Sequence, residues 1–318
     1  MNTPCIITPK REGREIKMTQ ALPREVRVDL DNHFATSGYI SRRRAQCAIR
    51  AARRSLGAGG IVGLLRYDGP DARDPRWDNF VKNVPYDKVS TGNGIYLPEA
   101  DILVLHGQEL QTAEGHDVHI IGHQPSETIP FRTPFGKAMD NADGWGAWKG
   151  AAAPCHDKGS EKYLLAHPDV TKRLDAIEVY SSEAEASFFG KFSHANKRAL
   201  ELFEKLRQNN SHLIPMVGTD GHSPRVVGRS YATITMPSDY GIAFKGKPAT
   251  LLECLRAGYR AAVFPQNFVM RPARADAYNH ALDLIALICA KRVLGWDPNE
   301  TTAPLLERIG VGKIRLEV

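Results

Sequence analysis

Two short motifs, Asp29-Leu30-Asp31-Asn32-His33 and Gly218-Thr219-Asp220-Gly221-His222, set the strongest limit on how this chain can fold. Each places an aspartate and a histidine two residues apart, directly after a run that reads as a β-strand. Residues i and i+2 of a strand point to one face. At a strand end, such a pair therefore presents a carboxylate and an imidazole to the same point. The motifs lie about 190 residues apart. A shared site needs a fold that brings distant strand ends together. A barrel does so, and its chemistry sits at the C-terminal ends of its strands.

With 318 residues, 42% of them hydrophobic, the chain can bury a core of that size; α/β barrels run to roughly 250 residues. The cysteines, Cys5, Cys47, Cys155, Cys254 and Cys289, are odd in number and form no CxxC. They predict free thiols in a reducing compartment. Met1 to Arg24 mixes charges and prolines where a secretory signal would be apolar. The apolar run Ala281–Ala290 is interrupted by Asp283 and falls short of the roughly 20 residues of a membrane span. The reading is of a cytoplasmic protein with no membrane partner. Its net charge of +6 suits phosphate-bearing ligands.

Along the chain, residues 1–24 form a polar, basic extension. Val26–Asp31 is the first strand. Ser41–Leu56 is helical in period, with Ala45, Ile49 and Ala52 on one stripe. Arg42, Arg43, Arg44, Arg50, Arg53 and Arg54 lie mostly off that stripe. They make either the solvated face of a barrel helix or a grip for nucleic acid. Gly60–Arg66 is a second strand, and Ile102–Thr112 with Asp117–His123 a hairpin. Gln124–Glu161 is rich in Gly, Pro and Ala and carries Phe131, Phe135, Trp145 and Trp148. It reads as a long inserted loop. Strands Lys162–Ala166, Ala176–Ser181 and His212–Thr219, with helix Phe192–Gln208, give a βα alternation. Tyr231–Met236 adds a strand, and Ala249–Ala257 and Ala275–Leu294 add helices. The expected organisation is a barrel over 25–265 with an insertion at 124–161, and a helical segment over 266–318 packing on it.

Acidic and histidine residues at the expected strand ends are Asp31, His33, Glu109, His119, His167, Asp220 and His222. Mixed oxygen and nitrogen donors suit Zn²⁺, Mn²⁺ or Fe²⁺ better than Ca²⁺ or Mg²⁺. A carboxylate such as Glu109 can bridge two ions about 3.5–4 Å apart, which then share a hydroxide and clamp a phosphate.

The order of these motifs resembles the PHP-domain metalloenzymes. The matching stretches are Asp29–Ser37, Gly107-Gln108-Glu109, Val118–Gly122, Ala166-His167-Pro168 and Gly218–Pro224. Ile177–Tyr180 and Asn196–Leu206 also match, so the resemblance covers roughly residues 26–260. It implies an α/β fold, a distorted (β/α)7 PHP-type barrel holding two or three metal ions, and hydrolysis of phosphoesters by a metal-activated hydroxide. It places Asp31, His33, Glu109 and Asp220 around one ion, with Glu109, His119 and His167 around a second. Two departures matter. The usual opening His-x-His is Asp31-Asn32-His33 here, and the usual Thr-Asp-His after the second strand is Arg66-Tyr67-Asp68-Gly69. A third ion would draw on His222, Tyr39 and that missing histidine, so two divalent ions (Zn, Mn or Fe) are expected. Asp68 is a possible substitute ligand. His222 then becomes a weak ligand or the general acid for the leaving group. Arg66, Arg225 and Arg229 are the candidate phosphate clamps, because a guanidinium takes two phosphate oxygens at once.

The expectation is a PHP-type hydrolase acting on a phosphorylated small molecule or nucleotide. The alternative is a catalytically impaired barrel that serves as a nucleic-acid-binding or interaction module. An amidohydrolase reading shares the strand-end histidines but lacks an opening His-x-His.

Overall fold

Strand β1 (Pro23–Asp29) and helix α1 (Arg42–Leu56) set the pattern of the barrel wall. The computed structural model describes residues 23–34, 40–67, 75–156, 159–186, 194–237 and 248–273. Residues 1–22 of the expected extension, Tyr39, Asp68 and the expected helix Ala275–Leu294 lie outside the described residues.

Ser41 caps α1 by accepting a hydrogen bond from Arg44 N at 3.3 Å, and Gly57 closes the helix at φ 79°. That left-handed conformation suits glycine. Ala45, Ala48, Ile49, Ala52 and Leu56 are buried along one stripe, leaving Arg43, Arg50, Arg53 and Arg54 exposed. The sequence's separation of apolar and basic residues is thus realised as an inner and an outer face.

The chain continues through β2 (Gly60–Tyr67), α2 (Pro75–Asn83), β3 (Val89–Ser90), β4 (Gly94–Leu97), β5 (Ile102–Gln111) and β6 (Asp117–Ile121). Then come α3 (Phe135–Gly144), β7 (Trp148–Ala151), α4 (Glu161–Ala166), α5 (Pro168–Thr171), β8 (Ala176–Ser181) and α6 (Ser182–Ala186). Helix α7 (Ala195–Arg207), β9 (Ile214–Gly218), β10 (Tyr231–Pro237), α8 (Pro248–Ala261) and β11 (Phe268–Val269) complete the described residues.

The sheet runs β11-β10-β1-β2-β5-β6-β7-β8-β9. Strands β1, β2 and β5 are parallel, β6 reverses, and β7, β8 and β9 resume the first direction. The ring closes beyond the ends of β1 and β9. There Asn32 and Gly221 form a parallel bridge, His33 N donates to Gly221 O and Asp220 N donates to Asp31 O, both at 2.9 Å. Lower down, β1 pairs instead with β10, antiparallel. Sharing β1 between two neighbours distorts this seven-stranded barrel.

Alternation sorts the side chains. Val28, Leu30, Leu65, Leu105 and Met216 belong to one buried cluster. Val62, Leu64 and Val104 pack with Ile49 and Phe80 of the helices in another.

Two expectations are corrected here. Residues 162–166 form helix α4, not a strand. A run of only four apolar residues, Tyr163–Ala166, fits either structure. Glu161 in the first turn favours the helix. The barrel strand expected there is instead β7, inside the stretch read as an inserted loop. Its four residues, Trp148-Lys149-Gly150-Ala151, are too few and too mixed in character to show a strand period. The segment 124–161 therefore holds α3 and an integral barrel strand.

Candidate metal centre

Where the ring closes, three strands and one loop bring their polar residues together. Asp31 and His33 follow β1 directly. Glu109 on β5 and His119 on the reversed β6 are register partners across the hairpin, so the two side chains share a face. Asp220 sits in the turn after β9 at φ 50°, the left-handed region, fixed by its hydrogen bond to Asp31 O. Such a conformation is sustained only where the surroundings hold it.

The ligand atoms lie close. His33 Nε2 is 2.7 Å from Glu109 Oε2, 3.3 Å from Asp31 Oδ1 and 3.7 Å from Asp220 Oδ1. His119 Nε2 is 3.6 Å from Asp31 Oδ1. Two sets meet within 4.8 Å: Asp31, Glu109 and His119, and Asp31, His33 and Asp220. Atoms bound to one ion at about 2.0–2.2 Å fall within about 4.4 Å of each other, so both sets have nearly the right span.

His222, half-buried at the rim, places Nε2 3.2 Å from Asp220 Oδ1 and stacks its ring on His33 at 5.1 Å. Behind the motif, the fully buried carboxylate of Asp29 accepts from Thr219 N, Thr219 Oγ1 and Gly228 N at 3.1, 2.6 and 2.8 Å. Burial pushes that carboxyl up to about 7 against the effect of these bonds. Asp29 therefore fastens the turn to β1, while Asp31, two residues on, faces the cluster.

Glu178 is a member the sequence reading did not assign. It is 3% exposed on β8, and its Oε2 accepts from Ala153 N at 2.7 Å. Its Oε1 is buried and, among the described residues, has no hydrogen-bond partner. Burial, then the carboxylates of Asp31 and Asp220, hold it well above the usual carboxylate range. The signal was present as a single acid between Ile177 and Val179 in an otherwise apolar strand. A lone buried carboxylate is costly unless something compensates it.

Electrostatics make the centre a trap for positive charge. Burial alone would lower the His33 imidazole, but Glu109 and Asp31 outweigh it and raise it to about 10. Neighbouring carboxylates stabilise whichever cation stands among them, proton or metal. Among the described residues, neither the buried Oδ1 of Asp31 nor Oε1 of Glu178 accepts a hydrogen bond of good geometry. Oxygen and nitrogen donors at this spacing, Asp31, Glu109 and His119 in one set and Asp31, His33 and Asp220 in the other, fit a divalent metal.

Other expected residues lie elsewhere. His167 is exposed at the junction of α4 and α5 with its ring 4.3 Å from Tyr163, and it joins neither ligand set. It left the expected position when its strand became a helix. Arg66 is 6% exposed but shares the helix-facing side of β2 with Leu64. Glu109 shares the opposite side with Leu105. Arg66 therefore does not stand beside Glu109. Arg229 donates through Nε to Pro272 O at 3.2 Å, and Arg225 is exposed against α1.

Fold and cluster together define a barrel with a cation-seeking mouth. No family model matches the sequence, and no curated protein matches it. Solved structures similar to this chain include the following three. PsfC from Pseudomonas syringae PB-5123 is 14% identical, with a TM-score of 0.49 over 74% of this chain and 98% of that one. The lesion-specific endonuclease PfuEndoQ from Pyrococcus furiosus is 14% identical, with a TM-score of 0.48 over 76% of this chain and 57% of that one. A two-domain protein containing a predicted PHP-like metal-dependent phosphoesterase, from Bacteroides vulgatus ATCC 8482, is 12% identical. Its TM-score is 0.46 over 83% of this chain and 70% of that one. Identity this low leaves function to the side chains themselves. Among the described residues, no helix is long and apolar enough to cross a membrane.

Proposed function

We propose that this protein is a metal-dependent phosphoesterase of the PHP type. The observation that carries this reading is the convergence of Asp31, His33, Glu109, His119 and Asp220 on one buried point. Asp31, His33 and Asp220 would hold one divalent ion, and Asp31, Glu109, His119 and Glu178 a second. Bound there, such ions would supply an activated water and positive charge for a phosphoryl group.

The chain's own residues do the rest. The buried carboxylates fix the imidazoles by charge. His222, at the rim and paired with Asp220, is placed to hold the proton that a departing alkoxide needs. Arg225 offers a guanidinium on the same loop. The substrate is a phosphorylated small molecule or a nucleotide, including a nucleotide at the end of a strand.

A second reading, a barrel that binds without hydrolysing, draws on the position of His167, which leaves the second ion one imidazole short. Elemental analysis and turnover separate the two. The first reading expects about two tightly held Zn, Mn or Fe ions per chain and hydrolysis of generic phosphomonoesters or nucleotides. Folded, metal-reconstituted protein that turns over none of them would sink it.

A further inference from the structure

The outer face of α1 and the loop after β9 enclose an open groove of about 690 Å³, lined by Arg43, Gln46, Cys47, Arg50, Arg54 and Arg225. All four guanidinium groups are exposed, and among the described residues none of them has an acidic partner. Helix α1 carries no acidic residue in its first turn, where Arg42, Arg43 and Arg44 stand instead. Cations at that end oppose the helix dipole. Their placement therefore serves something other than the helix.

Position supplies the purpose. Helix α1 leaves the end of β1, where Asp31 and His33 lie, and descends to the start of β2 at the opposite end of the barrel. Arg225 stands three residues beyond His222 on the same loop. The groove thus lies along the flank of the barrel, and one of its lining residues, Arg225, belongs to the loop that carries Asp220 and His222. Arg43 and Arg54 are 11 residues apart, about 16 Å along the helix. A lone phosphate ester cannot span that distance. Phosphates on a nucleic-acid strand recur about every 3.4 Å, so the row matches roughly five of them.

We infer that this groove holds the backbone of a nucleic-acid strand and leads it to the metal centre. The inference deepens the phosphoesterase reading and rests on it for the site. The substrate is then a polynucleotide whose phosphates are gripped by Arg43, Arg50, Arg54 and Arg225.

The test is fluorescence anisotropy of labelled oligothymidylate with the full-length protein over about 50–200 mM salt. Four arginine–phosphate contacts predict a slope of about −2.8 in log K against log salt, a loss of about 50-fold over that range. The double variant Arg50→Ala/Arg54→Ala should make the slope shallower by about 1.4 while turnover of p-nitrophenyl phosphate stays unchanged. The oligonucleotide should also slow alkylation of Cys47, which lies in the groove. An unchanged slope in the double variant, or no binding by the wild type, overturns the proposal. So does displacement by polyglutamate as effective as by an oligonucleotide of equal charge, which would assign the groove to an acidic protein. Arginine-dependent binding without p-nitrophenyl phosphate turnover would uphold the groove and fail the reading of the site.

Discussion

At the scale of single residues, His167, an expected ligand, lies outside both ligand sets, while Glu178, given no role in the sequence reading, is buried beside their charges. Glu178 carries an unbonded carboxylate oxygen and feels the charges of Asp31, Asp220 and Glu109, whereas His167 rests against Tyr163 at the surface. Replacing Glu178 by Gln should therefore weaken metal retention by about tenfold or more, the scale seen when a group supporting a metal is lost. Replacing His167 by Ala should leave metal content unaltered. Titrating chelator against both variants with elemental analysis checks this, and a metal loss confined to His167→Ala would reverse the assignment. Cys155, just past β7, gives a second residue-scale expectation. Burial, then the charge of Glu161, raises its thiol from 9.0 to about 12. The thiolate is the reactive form. Iodoacetamide at mildly alkaline pH should spare Cys155 in the native protein and modify it in urea, as mass spectrometry would show. The raised value also fixes a sign: its stabilising contribution is intact below about pH 9 and is lost as pH climbs toward 12.

Elements show what the sequence made legible and what it concealed. β1, β2, β5, β6, β8 and β9 were readable because their residues are β-branched or apolar and end in polar motifs. The Asp31/His33 and Glu109/His119 juxtapositions followed from a period of two and a hairpin register. β7 was hidden because its four residues, Trp148–Ala151, are too few to show a period of two. α4 was misread because four apolar residues carry no resolvable period. Arg66 failed by parity alone, since one step along a strand moves a side chain to the other face. A glycine tests how tightly these elements meet. A Cβ on Gly63 of β2 would stand 2.0 Å from Leu30 O, the link between β1 and Asp31. Gly63→Ala should thus cost several kcal/mol, beyond the roughly 1–3 kcal/mol of ordinary overpacking, and loosen metal binding by shifting Asp31 and His33. Gly136→Ala in α3, where nothing lies within 4 Å, should instead add about 0.5–1 kcal/mol. Thermal melts of the pair, read beside metal content, check both; a benign Gly63→Ala would mean that the two strands can part without cost to the site.

Across the whole molecule, the site and the closure of the ring are one structure. β9 and β1 meet only beyond their ends, through the bridge of Asn32 and Gly221 and the clasp of Asp29 on Thr219 and Gly228. The clustered acids and histidines come from both sides of that seam and from β5 and β6, so carboxylates that repel one another are gathered where the ring closes. Without an ion, this repulsion strains the seam; with one, the same carboxylates draw it shut. Metal should therefore stabilise the fold, by about 2.7 kcal/mol at a free concentration a hundredfold above its dissociation constant. The gain should be local before it is global. Hydrogen exchange with and without chelator would show faster exchange of the amides of His33, Asp220 and Thr219 once metal is removed, while the amides of β2 and β5 stay protected. A rise in melting temperature with uniform protection across the barrel would instead place the stabilising ion somewhere other than the seam.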